Sequence, residues 1–318
     1  MTALTAIALG AALITVGACS PLATLNDLLV PNAGYTRVDA IAYGPEPRQR
    51  LDVYTPTAKG EGEAHVAARP VVVFFYGGSW KSGQRGRYRF IGEAFASKGF
   101  VTVVPDYRLY PEVRYPAFVE DGAKAVRWVR DHAGEFGGDP DRIILAGHSA
   151  GAHTAAMLAT NDQFLADAGV PPESIRAFIG LAGPYAFDPF KYSSTRPVFE
   201  TVATPADMQP GTYANGNEPP MLLLHGLDDT TVIPFNSRTL AEHVNAAGGQ
   251  AQVVEIDGTG HIGLVLSLAY PFREDGGVLD RIARFAWDEA AAAPTLAPPV
   301  PPSSSTSRPS PAFLPRTG

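Results

Sequence analysis

Three side chains of the kinds that perform nucleophilic catalysis each follow an apolar run: Ser149, Asp229 and His261. A serine hydroxyl becomes a strong nucleophile when a neighbouring imidazole removes its proton, and a carboxylate can hold that imidazole and stabilise its charged form. Serine, aspartate and histidine in this chain order occur in known triads of this kind. The three residues therefore predict acyl transfer through a covalent intermediate on Ser149.

Ser149 is the central residue of a G-x-S-x-G string, residues 147–151, between the apolar run RIILA and the helical pattern AHTAAMLA. A nucleophile elbow needs a sharp turn between a strand and a helix, and glycines two residues away on either side let the chain segments pass. The alternative is a glycine-rich turn with an idle serine. The position between a strand and a helix favours the nucleophile.

A second glycine-rich loop, YGGSW at residues 76–80, directly follows the apolar run VVVFF. Backbone N–H groups that are fixed in advance stabilise the oxyanion of a tetrahedral intermediate. We expect the donors to be the amides of Gly78 and Ser79 in this loop and of Ala150 beside the nucleophile. The alternative is a plain Gly-Gly turn without a catalytic role.

Two adjacent aspartates follow the apolar run MLLL, and one of them is the expected triad carboxylate. Asp229 fits an H-G-x-x-D spacing that starts at His225, whereas Asp228 is interpreted as a solvated or loop-capping neighbour. We therefore predict Asp229 as the partner of His261 and keep Asp228 as the alternative.

The histidine loop GTGHIG, residues 258–263, also matches the G-x-G-x-x-G pattern of dinucleotide sites. Such a site needs an acidic residue at the end of a second strand about 20 residues further on. Asp280 has this distance, but its surroundings VLDRIARFAW have a helical pattern and no strand follows. A loop that presents His261 after the last strand explains the residues better, and the sequence predicts no cofactor.

Other chemistries find little support in the composition. The remaining histidines near these motifs, His148, His153 and His225, are interpreted as structural, and no H-E-x-x-H spacing predicts a metal. The single cysteine, Cys19, excludes an internal disulfide and a cysteine-based zinc site. With 25 basic and 32 acidic residues, the net charge of −7 speaks against nucleic-acid binding.

Apolar runs typical of strands alternate with helical patterns through the middle of the chain. The runs RPVVVFF, FVTVVP, RIILA, RAFIGLA, MLLL and AQVVEI predict strands buried on both faces. Helices are predicted over 87–98, 116–132, 151–160, 235–247 and 277–291. This alternation predicts an α/β fold with a mostly parallel central sheet and helices on both faces. The Pro-rich segment 185–219 interrupts it and is interpreted as a small lid-like insertion.

The apolar, uncharged residues 1–18 end directly before Cys19 and predict a signal peptide. The string VGAC resembles a bacterial lipobox, in which the cysteine is lipid-modified. No Lys or Arg precedes it, which departs from the usual signal. We expect a protein of the bacterial cell envelope that is anchored to the membrane through Cys19. The alternatives are an ordinary cleaved signal, which gives a secreted or periplasmic soluble protein, and an anchor helix or a start-site artefact.

The remaining segments divide the chain around one domain. Residues 19–34 are interpreted as a linker, and residues 35–290 have the length and hydrophobic content of a single folded domain. Residues 291–318 are rich in proline and serine and predict a disordered tail, because such a composition cannot build a core.

Together these motifs resemble the α/β-hydrolase esterases over about residues 40–290, in the branch that includes hormone-sensitive-lipase-type carboxylesterases, kynurenine formamidases and feruloyl or acetyl-xylan esterases. The resemblance is carried by YGGSW, PDYRLYPE, FGGDPDRIILAGHSAGAH, HGLDDTTVIP and GTGHIG. It implies an α/β-hydrolase fold and hydrolysis of a small-molecule carboxylic ester without a cofactor. The family usually has a histidine that orients the loop where Tyr76 stands here, and we expect catalysis to survive this change.

Two other functions stay open beside the carboxylesterase. The same apparatus would cleave a formamide, so an arylformamidase is the enzymatic alternative. A non-catalytic hydrolase-like binding module is a remote one, because such modules usually lose the nucleophile or the base. The substrate is not identified: several aromatic residues would line an acyl pocket or, equally, form a small core of the insertion. They are Trp80, Tyr185, Phe187, Phe190, Tyr192 and Phe199.

Overall fold

The computed structural model describes residues 30–57, 68–274 and 276–292. The predicted signal with Cys19, most of the predicted linker and the tail beyond residue 292 lie outside the described residues.

One mixed sheet of eight strands forms the centre of the domain. Its spatial order is β1-β2-β4-β3-β5-β6-β7-β8, and every neighbouring pair from β4 to β8 is parallel, whereas β1–β2 and β2–β4 are antiparallel. The predicted α/β fold with a mostly parallel sheet is confirmed. The strands are β1 (Tyr35–Ala42), β2 (Arg50–Pro56), β3 (Arg69–Phe75), β4 (Val101–Pro105), β5 (Gly138–His148), β6 (Ile175–Leu181), β7 (Met221–Gly226) and β8 (Ala251–Ile256).

Burial along the strands explains their sequence patterns. Every residue of β4, β6 and β7 is buried, because helices cover both faces of the parallel part of the sheet. In β8, which forms an edge, only half-buried and exposed residues occur. The prediction that AQVVEI is buried on both faces is therefore wrong, because β8 lies at the edge of the sheet. The fully buried apolar runs belong to the central strands.

Seven described helices flank the sheet. Helices α1 and α7 contact each other, as do α2 and α3. The predicted helix over 87–98 begins at residue 89, after a short 3-10 turn, and α4 and α6 are short helices that the sequence did not predict. None of the described helices has the length and apolar character needed to cross a bilayer. The helices are α1 (Arg89–Ser97), α2 (Ala117–His132), α3 (Ala150–Thr160), α4 (Asp162–Asp167), α5 (Phe235–Ala246), α6 (His261–Leu266) and α7 (Val278–Ala291).

The first two strands reverse the direction of the chain at one edge of the sheet. Tyr35, where β1 begins, pairs with Pro56 at the end of β2. Leu51, near the start of β2, pairs with Pro105 at the carboxyl end of β4. The chain therefore enters the domain at the amino ends of the parallel strands. The loops that follow β3, β5, β7 and β8 lie at the carboxyl ends of these strands.

Segment 185–219 contains only short 3-10 turns. Its turn at residues 210–213 contacts α3 and α5, and Phe199 lies against Phe118 of α2. Its side chains Val198, Phe199 and Met208 are completely buried. The Met208 carbonyl accepts a hydrogen bond from His153 Nε2 at 2.7 Å, and the Tyr115 hydroxyl donates to the Asp207 carbonyl at 2.9 Å. The insertion is thus continuous with the core of the domain.

Candidate active site

Ser149 lies in the turn between β5 and α3 with φ 55° and ψ −124°, a conformation that L-residues rarely adopt. Holding a residue there costs about 1–3 kcal/mol, which the surrounding structure must offset. The flanking glycines make the turn possible, because a Cβ on Gly151 would lie 2.1 Å from the Phe75 carbonyl oxygen. A Cβ on Gly147 would lie 2.5 Å from the Gly151 carbonyl oxygen. The G-x-S-x-G string therefore forms the sharp strand-to-helix turn that a nucleophile elbow requires, and the role of Ser149 as the nucleophile stays a prediction.

The three side chains proposed for the triad come together in one hydrogen-bonded chain at the carboxyl edge of the sheet. His261 Nε2 lies 2.9 Å from Ser149 Oγ, and His261 Nδ1 lies 2.7 Å from Asp229 Oδ2. Because an ionised carboxylate only accepts hydrogen bonds, Nδ1 carries the proton and donates it to Asp229. The lone pair of Nε2 then faces the Ser149 hydroxyl, as a general base requires.

Asp229 is held by its own loop after β7. Its side chain is completely buried, and Oδ1 accepts the backbone N–H groups of Thr231 and Val232, each at 2.9 Å. Among the described residues no lysine or arginine pairs with this carboxylate. Oδ2 and its negative charge are therefore directed to the imidazole of His261.

The alternative carboxylate, Asp228, does not reach the site. Its residue is exposed, and its backbone N–H donates to the Thr259 carbonyl at 3.1 Å, which ties the aspartate loop to the histidine loop. Consecutive side chains leave a loop in different directions, so only Asp229 meets His261.

The loop after β3 lies directly against the elbow. A Cβ on Gly77 would lie 3.0 Å from Ser149 Cβ, so a larger residue there would have to displace the elbow by a few tenths of an ångström. Gly78, Ser79 and Trp80 all have positive φ, at 136°, 52° and 57°. This turn is closed by the Gly78 carbonyl, which accepts the N–H groups of Lys81 and Ser82 at 3.0 and 3.1 Å.

Three backbone amides beside the serine are free to bind an oxyanion. Those of Gly78 and Ser79 donate to no acceptor within the described residues. The amide of Ala150, the first residue of α3, has no intrahelical partner, as is general for the first turn of a helix. These are the donors that the sequence predicts, and their catalytic role stays a prediction.

Two further histidines surround His261 and remain neutral. His148 Nε2 lies 3.1 Å from the His261 carbonyl oxygen, and burial lowers the pKa of His148 to about 3. His225 Nε2 donates to the Val232 carbonyl, its Nδ1 accepts from the Ser237 hydroxyl, and burial lowers its pKa as well. No second cation therefore competes with the His261 imidazolium for Asp229. His148 also fixes the backbone of His261, a contact between residues 113 positions apart that no sequence pattern indicates.

The aromatic residues that the sequence placed either in an acyl pocket or in a small core differ in burial. Trp80, Tyr185 and Phe199 are buried, and Tyr192 is 56% exposed. Trp80 lies against Phe199 at a ring-centroid distance of 4.8 Å and against Phe187 at 6.1 Å. This arrangement agrees with a small aromatic core under the insertion.

No cluster of three or more metal-ligating side chains occurs within residues 30–57, 68–274 and 276–292. The site as described thus combines a serine hydroxyl, an imidazole with its carboxylate partner, and backbone N–H donors, and their catalytic roles stay predictions.

Known proteins share this arrangement of sequence and fold. Residues 51–244 match the BD-FAE family. A probable isoprenylcysteine alpha-carbonyl methylesterase of Arabidopsis thaliana is 30% identical over 250 residues, which cover 71% of this chain and 51% of the relative. Esterase LipC of Mycobacterium tuberculosis is 29% identical over 247 residues, with 71% of this chain and 60% of the relative covered.

A solved structure is similar over most of the domain. The apo form of Thermogutta terrifontis esterase 2 is 27% identical, with a TM-score of 0.61, and the match covers 80% of this chain and 93% of that one. The chain spans about half the length of the first curated relatives it matches.

Proposed function

The chain belongs to the BD-FAE family, has the α/β-hydrolase fold of esterases, and we propose that it hydrolyses carboxylic esters through an acyl-enzyme intermediate. The observation that carries this proposal is the hydrogen-bonded chain from Ser149 Oγ through His261 to Asp229, at 2.9 and 2.7 Å. We find no structural role at the carboxyl ends of the strands that would explain this arrangement. The strained backbone conformation of Ser149 is typical of functional sites.

The first half of the proposed reaction forms the acyl-enzyme. Ser149 Oγ attacks the ester carbonyl carbon while His261 Nε2 takes the hydroxyl proton. The carbonyl oxygen becomes an oxyanion, which accepts hydrogen bonds from the amides of Gly78, Ser79 and Ala150. When the tetrahedral intermediate collapses, the C–O bond to the alcohol breaks and His261 gives its proton to the leaving alkoxide.

The second half releases the acid. A water molecule gives a proton to His261 Nε2 and attacks the acyl carbon, and the new oxyanion uses the same three amides. Collapse of this intermediate breaks the bond to Ser149 Oγ, which recovers its proton from His261. In both halves Asp229 stays ionised and stabilises the imidazolium, and the neutral His148 and His225 leave that interaction undisturbed.

Four half-exposed apolar side chains, which we call the rim, support a substrate ester that has an apolar portion. Leu227, Ile233, Phe235 and Ile262 are 40–54% exposed. Leu227 and Ile233 lie in the loop that carries Asp229, Phe235 begins α5 directly after that loop, and Ile262 follows His261 in α6. Large apolar side chains gathered near one site are typical of a binding surface. We infer that the rim contacts the acyl chain or the alcohol of the substrate.

The test of the function uses the nucleophile. Ser149→Ala removes one hydroxyl, so we expect an unchanged melting temperature and a fall of several orders of magnitude in kcat on an ester panel of graded acyl length. A fluorophosphonate should label the wild-type protein at Ser149 only, which peptide mass mapping detects. Labelling at Ser79 instead would contradict the assignment. N-Formylkynurenine in the same panel separates esterase from arylformamidase.

We propose in addition that the protein is anchored to the bacterial cell envelope through a lipid on Cys19. The support is the sequence alone: the uncharged apolar residues 1–18 and the VGAC string. Several acyl chains are needed for stable attachment, because one chain binds a membrane only weakly. We expect the mature N-terminal peptide from the native cell to begin with a lipidated Cys19, and Cys19→Ser to release the protein from membranes. An N-terminal peptide that retains Met1 would contradict this proposal.

A further inference from the structure

A buried pair of side chains, to which the proposed reaction gives no role of its own, lies behind the loop that carries Asp229. His225 lies at the end of β7 and Ser237 near the start of α5, and both are 0% exposed. His225 Nδ1 lies 2.7 Å from Ser237 Oγ, and His225 Nε2 lies 2.7 Å from the Val232 carbonyl oxygen. The pair therefore joins the sheet and a helix to the aspartate loop.

The partners of the His225 ring fix its tautomer. Burial lowers the pKa of His225, so the ring is neutral and carries a single N–H. Because the Val232 carbonyl oxygen only accepts, this proton lies on Nε2, and the lone pair of Nδ1 accepts the Ser237 hydroxyl. Ser237 thus keeps the Nε2–H directed at the loop.

The backbone of Val232 connects His225 to the carboxylate. Its carbonyl oxygen accepts the His225 N–H, and its own N–H donates to Asp229 Oδ1 at 2.9 Å. The N–H of Thr231 donates to the same Oδ1, also at 2.9 Å. Since Asp229 Oδ2 accepts from His261 Nδ1, the position of these two amides determines how the carboxylate meets the imidazole.

The middle of this loop has few other anchors. The two ends of the loop have backbone hydrogen bonds of their own, at the carbonyl groups of Gly226 and Ile233. Between them, within the described part of the chain, residues 230–232 form hydrogen bonds only to the Asp229 carboxylate and to His225. His225 is therefore what holds the two amides in place relative to the sheet.

His225 also faces the carboxylate directly. Its Nε2 lies 3.5 Å from Asp229 Oδ2, which is too far for a good second hydrogen bond but near enough for the polar N–H to favour the ionised carboxylate. Both side chains are fully buried, so bulk water does not screen this interaction.

We propose that His225 is a positioning residue that holds the Asp229 carboxylate against His261. It acts through the backbone of Val232, and Ser237 orients its ring. The proposal rests on the proposed esterase function. It gives a part in the reaction to a histidine that the sequence alone assigns to the structure.

The test compares two amide side chains that reach different distances into the loop. In His225→Gln the side-chain NH₂ takes the place of Nε2 and can donate to the Val232 carbonyl, whereas in His225→Asn the shorter side chain ends at the place of Nδ1. A misplacement of about 1 Å can cost about 10²-fold in rate, so we expect His225→Asn to lower kcat by about 10–100-fold. His225→Gln should keep kcat within about fivefold of the wild type, because the donor is restored. KM on a soluble ester should change by less than about twofold in both variants, because the buried His225 does not touch the substrate.

Ser237→Ala tests the orientation of the ring. It leaves the Nε2–H in place but removes the donor to Nδ1, so we expect kcat to fall by about two- to fivefold. This smaller change also decides the proposal if His225→Asn does not fold, because a wild-type kcat in Ser237→Ala would then overturn it.

The matched control is His153→Asn. His153 is also 0% exposed, and its Nε2 lies 2.7 Å from a backbone carbonyl oxygen, that of Met208, but it lies on α3 and contacts the insertion. The same substitution there removes the same kind of hydrogen bond, so it should lower the melting temperature to a similar extent and leave kcat within about twofold of the wild type.

The hydrogen bond between His261 and Asp229 gives a second readout. The proton that His261 Nδ1 donates lies in a short bond to an ionised acceptor, and its proton NMR signal is therefore far downfield of other imidazole N–H signals. If His225 positions the carboxylate, this signal should shift upfield or broaden in His225→Asn and keep its position in His225→Gln and His153→Asn. A loss of stability alone would leave the signal of the folded protein unchanged.

Titration of Ser149 with a fluorophosphonate gives kcat per active site and separates the two proposals. If wild-type Ser149 is not labelled and no ester is hydrolysed, the proposed function fails, and the NMR signal still reports whether His225 orients Asp229. If the wild type is labelled but His225→Asn keeps its kcat per site within about twofold, or His225→Gln loses as much as His225→Asn, the positioning proposal fails and His225 only stabilises the fold. A lower kcat per site in His225→Asn that His225→Gln restores, with unchanged KM, supports it.

Discussion

Replacing Asp229 by asparagine removes the charge of the carboxylate proposed for the triad, with almost no change in shape. In the native loop Oδ1 accepts two backbone N–H groups, those of Thr231 and Val232, and Oδ2 accepts His261 Nδ1. An asparagine satisfies the two N–H groups only with its carbonyl oxygen, so its NH₂ group must face His261. Nδ1 then has to accept, and the imidazole proton moves to Nε2. The wrong tautomer would face Ser149.

The expected loss in kcat follows from this change in the tautomer of His261. Nε2 no longer offers a lone pair to the Ser149 hydroxyl, and the imidazolium loses its buried counter-charge. Comparable replacements in other triads reach about 10⁴-fold in kcat, which is about 5.4 kcal/mol of transition-state stabilisation. We expect a loss of that size at neutral pH, with KM little changed and the fold preserved.

Asp228→Asn is the matched control because it makes the same chemical change one residue away. Asp228 is exposed, and its charge acts on the site only through a field that salt screens within about 8–10 Å. We expect a loss of tenfold at most. The assay is kcat on a soluble ester at pH 7, normalised by active-site titration, with melting temperatures for both variants. A more damaged Asp228→Asn enzyme, or Asp229→Asn within tenfold of the wild type, would refute the assignment.

Two further predictions test the rim and the buried histidines. Phe235→Ser should lower kcat/KM for an octanoate ester by about three- to tenfold, since it removes about 1 kcal/mol of apolar contact, and leave an acetate ester unaffected. Val38→Ser, at a side chain of similar exposure on β1, is the control, and equal effects of both variants would exclude a rim contact. Burial lowers the pKa of His148 to about 3 and of His153 to about 4, against about 6.5 in an unfolded chain. The unfolded state therefore binds more protons between those values, so the free energy of unfolding should fall as pH is lowered from 6.5 toward 4. Denaturant midpoints at several pH values should show a shallower fall in His153→Gln, and an unchanged slope would show that His153 is not the cause.

The parts of the site that the sequence predicts are those encoded by neighbouring residues. The elbow needs only a strand, two glycines around Ser149 and a helix, and all of them lie within about 20 residues. Asp228 and Asp229 could not be separated with the same certainty, because the choice depends on the direction in which each side chain leaves the loop. Burial decides it: Asp229 is buried and Asp228 is exposed.

Contacts between distant residues escaped prediction. A buried network of hydrogen bonds and ion pairs joins Arg48, Tyr76, Arg85 and Asp106, which come from four separate segments, and arginine–aspartate pairing has no local pattern. The role of the aromatic residues of the insertion could not be predicted from the sequence for the same reason. Whether Phe199 lines a pocket or fills a core depends on α2 and α3, against which it packs.

The antiparallel strands β1 and β2 determine on which side of the domain a lipid anchor at Cys19, as proposed, would be attached. The tether would join the domain at Tyr35, on the side where the parallel strands begin, and Ser149 opens on the side where they end. In the proposed anchored protein, the entry of the tether and Ser149 would therefore lie at opposite ends of the parallel strands, so the tether would leave the Ser149 side of the domain accessible to esters in the aqueous phase.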